Sequence, residues 1–194
     1  MKYRLGDLDD AEAIRVIYNR EVTGSTVTFD LVPRTTEDQL IWMDEHSGAH
    51  PVVVAVDERG RVCGFGSLSP YRPRPAYRTT VEDSVYVDPA YQGLGVGKGL
   101  LKELMALASA HGFHAVMARI VGGHAASIAL HRSCGFEQIG VEREVGRKFG
   151  RWLDVVLMQC LVDAQGLIDV QSLIDVQGPI DPGRDPAGEP NAGG

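Results

Sequence analysis

The sequence predicts an α/β domain over residues 1–162, a mixed and mostly antiparallel central sheet with helices on both faces, followed by a disordered tail over 163–194. A length of 194 residues suits one domain, and a hydrophobic content of 44% is enough to build its core. Strand-period and helix-period segments follow one another as β-α-α-β-β-β-α-β-α-β-β, the pattern of a sheet covered by helices. The composition then breaks near residue 162.

Lys2–Leu5 reads as a short strand. Asp7 caps a helix from about Leu8 to Val22, with Ile14, Ile17 and Tyr18 on one face. Thr36-Glu37-Asp38-Gln39 has capping-box form and opens a second helix reaching about His46. Pro51–Asp57 and Arg61–Ser69 are strands joined as a hairpin through Glu58-Arg59-Gly60. The three prolines of Pro70–Pro75 make that stretch a loop. Thr79–Val87 is a strand whose alternation sets Val81, Asp83, Val85 and Val87 against Glu82, Ser84 and Tyr86. After a glycine-rich turn, Val96, Leu100, Leu101, Leu104, Leu107 and Ala108 recur at helical spacing, and Gly112 suits the helix end. Ala115–Val121 is a strand, Ala125–Cys134 a helix, and Gln138–Val145 and Trp152–Val162 are closing strands.

The formal net charge is −7, but residues 163–194 hold six acidic residues against one basic one, so the tail carries −5 and the body −2. The body therefore has no general attraction for nucleic acid or anionic lipid, and neither is an expected partner. No apolar run approaches the ~18 residues of a membrane span, and the N-terminal MKYRLGDLDD lacks a signal-like apolar region. Cys63, Cys134 and Cys160 form no CxxC pair and no metal-ligand spacing, which points to no metal and to a reducing cytoplasm. The tail repeats with period six, from Leu161-Val162-Asp163-Ala164-Gln165-Gly166 through Leu173-Ile174-Asp175-Val176-Gln177-Gly178. Such repeats can stack as a β-solenoid, but few units rich in Gly, Pro and Asp read better as a tandem duplication in a disordered end.

Gln92-Gly93-Leu94-Gly95-Val96-Gly97-Lys98-Gly99 is the most informative stretch. Alternate glycines between a strand and a helix let backbone N–H groups converge on a phosphate. The spacing fits neither GxGxxG, which would need glycine at Lys98, Leu100 or Lys102, nor GxxxxGK[ST], where Gln92 and Gly99 break the pattern.

Gln92-x-x-Gly95-x-Gly97 resembles the Q/R-x-x-G-x-G/A signature of the GNAT superfamily of acyl-CoA-dependent N-acyltransferases. Ala129-Leu130-His131-x-x-x-Gly135-Phe136 is similar to that family's A-x-x-L-Y-x-x-x-G-F segment. Within it, Tyr18-Asn19 with Thr26-Val27-Thr28-Phe29, Thr80–Val87 and Lys148–Asp154 resemble the phosphinothricin and methionine sulfone/sulfoximine N-acetyltransferase group. The resemblance runs from residue 2 to about 162 and implies a GNAT-type fold. It also implies acetyl-CoA as co-substrate, a small-molecule amine as acceptor and a homodimer.

Onto this sequence the resemblance carries the following roles. The strand Val85-Tyr86-Val87 and the turn Gln92-Gly93-Leu94-Gly95-Val96-Gly97-Lys98 hold acetyl-CoA. His124 stands where many members have an asparagine for the pantetheine arm, so His124 or Ser127 takes that bond. Glu82 matches the general base, which an amine largely protonated at pH 7 requires. Asp83 and Asp88 are its rivals, the first on the opposite strand face, the second in a turn before Pro89. A backbone N–H of Val85–Val87 meets the developing oxyanion. His131 stands where the family often has the tyrosine that protonates the leaving thiolate, and its near-neutral titration suits that step; a packing role on the helix is the alternative.

A substrate carboxylate needs a cation, and Arg72, Arg74 and Arg78, in the loop with Pro73, are the candidates. Phe29, Asp83 and Ser84 complete the expected acceptor site, with Tyr71, Tyr77 and Trp152 as possible walls. Phe149 replaces a histidine of the phosphinothricin enzymes, which suits a less polar substrate tail. The competing expectations are acetylation of a protein N-terminus or other amine, and a CoA-binding module without catalysis.

Overall fold

The computed structural model describes residues 1–162; the repeat and tail expectations for 163–194 lie outside the described residues. Seven strands form one sheet: β1 (Lys2–Leu5), β2 (Val52–Val56), β3 (Val62–Pro70), β4 (Thr80–Val87), β5 (Ala115–Val121), β6 (Glu137–Lys148) and β7 (Arg151–Leu161). Among the described residues four α-helices accompany them: α1 (Ala11–Gly24), α2 (Thr36–Glu45), α3 (Val96–Ala110) and α4 (Ala125–Arg132). The strand order is β1-β2-β3-β4-β5-β7-β6. Only β4 and β5 run parallel; every other neighbouring pair is antiparallel.

Strand alternation sorts the side chains between two cores. On one face Val53, Leu68, Val81, Val116 and Met158 meet the helical stripe Leu100, Leu101 and Leu104 of α3. On the other, Val52, Val54, Val56 and Phe65 meet Ile14, Ile17 and Tyr18 of α1 and Met43 of α2. Each such buried side chain contributes roughly 1.5–3 kcal/mol by its removal from water, so the two stripes fix which face each helix covers.

The helix starts differ in detail from the sequence reading. Asp7 does cap the first one, but the opening turn Leu8–Asp10 is a 3₁₀ turn before α1. Arg4 explains it: its guanidinium grips Asp10 through two bonds of 2.6 and 2.8 Å and anchors that turn to β1. The cap of α2 is Thr35 rather than Thr36. Thr35 Oγ1 accepts from the Asp38 N–H at 3.1 Å, and Asp38 accepts from the Thr35 N–H at 2.9 Å. Thr36 also has a box partner three places on, but Gln39 is buried and accepts from Arg34 at 3.2 Å, whereas the exposed Asp38 is able to reach back to Thr35. Pro70, read as loop, ends β3, where it needs no ladder donor. The last helix stops at Arg132, two residues short of Cys134, and the chain turns at Gly135 with φ +91°. The β6–β7 hairpin turns at Phe149 and Gly150, and β7 rather than β6 lies next to β5.

Candidate active site

The site begins with a fault in the ladder. β4 and β5 pair from Thr80–Ala115 to Asp83–Ala118 and no further. β4 nevertheless continues along β3 to Val87, and β5 along β7 to Val121. Parallel strands that part company leave two facing edges with unused backbone N–H and C=O groups. An extended amide-containing chain can satisfy such edges as an added strand. The wedge opens into a cavity of about 400 Å³ lined by Asp83–Val87, Ala118–Val121, the turn residues Gln92, Gly93 and Gly95–Lys98, and one side of α4.

The glycine turn closes one end. Gly93 and Gly95 take φ of +75° and +81°, and Gly95 is the cap of α3 with no side-chain bond to the first amides. Those amides and the positive helix end make an anion seat. A Cβ at Gly95 would meet no atom within 4 Å, so the left-handed backbone is what requires glycine there. Gly97 is different: a Cβ there would come within 3.2 Å of Leu130. The Gln92 amide donates to the Val87 carbonyl at 3.3 Å and ties the turn to the end of β4. His124 lines the cavity while its Nδ1 accepts from the Ser127 N–H at 3.2 Å, so it also caps α4.

Asp83 and His131 meet on the cavity wall. His131 Nδ1 lies 2.7 Å from the Ser127 carbonyl, which only accepts, so that nitrogen donates. Nε2 lies 3.0 Å from Asp83 Oδ2, and both residues are buried. Burial lowers the proton affinity of His131, but the bond and charge of Asp83 and the Ser127 carbonyl outweigh it and raise the net value. The other Asp83 oxygen, Oδ1, is buried without a protein hydrogen-bond partner. Sequence alternation placed Asp83 on the face of Val81 and Val85, but its union with His131, 48 residues away, was not legible there.

Glu82 points to the opposite face of β4 and does not line the cavity. Burial pushes its carboxyl up to about 7; Arg119 draws it down, Asp83 and Glu142 push it up, and Arg72 draws it down. Arg72, Pro73, Arg74 and Arg78 line a separate depression of about 260 Å³ with Tyr71 and Tyr77. The Arg72 guanidinium lies over both tyrosine rings. Phe29 packs on Gly146 of β6 and stays outside the cavity lining, as does Leu94, which is 68% exposed. Arg119, absent from the sequence-based site, does line the cavity. The signal available was one cation inside the apolar run Ala115–Val121. Nearby, Lys148 is buried and donates to the Thr28 carbonyl at 2.8 Å, holding the Phe29 loop on β6.

The wedge offers strand edges to an extended amide-containing chain, and the turn beside it offers converging amides to an anion. Residues 12–136 match the acetyltransferase (GNAT) family. A Pseudomonas aeruginosa L-methionine sulfoximine/L-methionine sulfone acetyltransferase is 41% identical over 155 residues, 79% of this chain and 90% of that protein. A Streptomyces coelicolor phosphinothricin N-acetyltransferase is 39% identical over 158 residues, 80% of this chain and 92% of that one. The crystal structure of a Sinorhizobium meliloti phosphinothricin acetyltransferase in complex with acetyl-CoA has a TM-score of 0.79 at 41% identity. It covers 83% of this chain and 88% of that one.

Proposed function

This chain belongs to the GNAT acetyltransferase family and is an acetyl-CoA-dependent N-acetyltransferase, and from that premise we propose that its acceptor is the primary amine of a small amino acid of the phosphinothricin or methionine sulfoximine/sulfone kind. One observation carries the chemistry: Glu82, half-buried and one rung short of where the ladder ends, has its carboxyl proton affinity raised to about 7. A base matched to neutral pH can take a proton from an ammonium group and still be ionised in a useful fraction of molecules.

In this reading Glu82 accepts the amine's proton on one face of β4. The free edge of Val85–Val87 supplies N–H donors to the thioester oxygen as it gains charge. The anion seat of Gly93–Lys98 holds the pyrophosphate, with His124 and Ser127 beside the pantetheine arm. Acetyl-CoA supplies the activated acyl group. His131 and Asp83 hold a proton between them at the cavity wall and yield it to the departing thiolate. Arg72, Arg74 and Arg78 furnish charge for an α-carboxylate, which is supported by the field of Arg72 at Glu82. Phe29, on its loop against β6, and Ser84, on the cavity wall, bound the acceptor side.

Acylation removes the amine's charge and nucleophilicity, so acetylating an inhibitory amino acid would detoxify it. We place the enzyme in the cytoplasm, in keeping with cysteines whose spacing forms no CxxC pair; among the described residues no helix is long and apolar enough to cross a membrane. We also propose a homodimer, supported by Ile139, Val141 and Val145, about half exposed on the edge strand β6. The deciding experiment is product mass spectrometry with acetyl-CoA and a panel of small amino acids. Acetylated methionine sulfone, methionine sulfoximine or phosphinothricin is the expected product; turnover of a peptide N-terminus alone would overturn the acceptor class. Light scattering at micromolar concentration should give twice the chain mass, and a monomer would refute the dimer.

A further inference from the structure

Arg119 is the charged residue in an otherwise apolar strand, one step beyond the last parallel rung at Asp83–Ala118. Met117 faces Glu82 in that ladder, so Arg119, two residues on, lies on the same side of the sheet as Glu82. From β6, Glu142 accepts a hydrogen bond from Nη1 at 3.1 Å and sets its other oxygen 2.6 Å from Nη2. Both side chains are 30% exposed, so solvent screens the pair only in part. One guanidinium thus serves two carboxyls, Glu142 by contact and Glu82 across a longer gap.

The other charged groups facing Glu82 are few. Asp83 adjoins it on β4 but points to the other face, Glu142 reaches over from β6, and Arg72 comes from the β3–β4 loop. Ser69 stands opposite Glu82 on β3 and holds His46 Nε2 of the α2 end at 2.9 Å. Of the two cations, Arg119 acts more strongly than Arg72, and Arg119 is the one clamped in place. A salt bridge beside a site requiring an ionised carboxylate is a means of metering positive charge.

We propose that Arg119 is a positioning residue for Glu82, keeping its carboxylate ionised in the half-buried site, and that Glu142 governs how much of the guanidinium's charge reaches it. This rests on the reading of Glu82 as base. It also explains why a cation on the cavity wall is held by a carboxylate outside that wall. Glu142 both competes for Arg119 and repels Glu82, so its loss acts on Glu82 in the direction opposite to loss of Arg119.

The test uses the full chain and the variants Arg119→Gln, Arg119→Lys, Glu142→Gln and Glu82→Gln. Two quantities are read: the ¹³C titration of the Glu82 carboxyl, assigned by its loss in Glu82→Gln, and the acidic limb of kcat/KM with L-methionine sulfone. Arg119→Gln should move the Glu82 titration and the limb up by roughly one unit, and Glu142→Gln should move both down. Arg119→Lys should keep the titration near wild type. A salt bridge serving only as a strut predicts lower activity in both variants and an unmoved titration. Shifts in one common direction, or none, overturn the proposal; if Arg119→Gln does not fold, Glu142→Gln and Arg119→Lys decide it. Should Glu82→Gln stay active at pH 7 while the titrations move as stated, the base reading falls and the positioning stands. Should Glu82→Gln be inactive with unmoved titrations, the reverse holds.

Discussion

His131 Nε2 and Asp83 Oδ2 lie 3.0 Å apart and join α4 to β4 across the cavity wall. Both residues are buried, and His131 has its other ring nitrogen on the Ser127 carbonyl. The pair therefore links the helix that lines the wedge to the strand that forms it.

Removing one partner leaves the other buried and uncompensated. Asp83→Asn should destabilise the fold by about 3 kcal/mol or more, read from urea denaturation. The folded proton affinity of His131 is raised, so its stabilising contribution is full below the unfolded value near 6.5 and is lost as pH rises through the folded one. The gap between wild type and Asp83→Asn should accordingly be wider at pH 6 than at pH 9. A gap independent of pH would mean that the pair carries no ionised histidine.

Glu82→Gln keeps the shape of the side chain and cannot accept a proton. Turnover at pH 7 should fall by ~10²–10⁴ with the acetyl-CoA KM unchanged. The deficit should narrow as pH approaches the amine's own titration, since solution then deprotonates the acceptor. Near wild-type turnover at pH 7 would pass the role of base to Asp83 or to a held water.

The same substitution has an opposite effect on stability. A carboxyl raised from 4.5 to about 7 binds its proton more tightly in the folded state, so wild-type stability declines as pH rises through that window. Glu82→Gln lacks this loss. Its melting temperature should exceed that of wild type at pH 8 and match it near pH 4; equal melting temperatures at both would show that burial of Glu82 costs nothing.

Gly95 sits at φ +81° with open space where a Cβ would lie. Gly95→Val puts a β-branched residue in the left-handed region at about 1–3 kcal/mol and turns the anion-seat amides. Calorimetric titration with CoA should show a large loss of affinity. Gly95→Asn, which tolerates that backbone, should retain most of it. Unchanged affinity in the valine variant would place the pyrophosphate elsewhere.

Lys148→Met should leave the Thr28 carbonyl without its 2.8 Å donor and cost about 1–3 kcal/mol. Because that bond holds the loop carrying Phe29, KM for the amine should rise while KM for acetyl-CoA stays. Equal changes in both would indicate a general loss of structure.

What the sequence determined by itself is local or periodic. The period-two run Thr80–Val87, the leucine stripe of α3 and the caps near Asp7 and Thr36 specify elements through bonds and burial within a few residues. Cap placement slipped by one because Thr35 and Thr36 each have a possible box partner three residues on, and only the fold buries Gln39 against Arg34 and leaves Asp38 to cap. The glycine run marked the left-handed turn before α3, at Gly93 and Gly95, because tolerance of positive φ is a property of the residue itself.

Tertiary structure alone decided the wedge, since nothing in either strand says where a parallel ladder stops. It decided the Asp83–His131 pair, the separate place of the Arg72–Arg78 depression, and the service of Arg119 to two carboxyls. Each joins residues from elements far apart in the chain, and the free energy of a buried charge depends on which charges fold against it rather than on its neighbours in sequence.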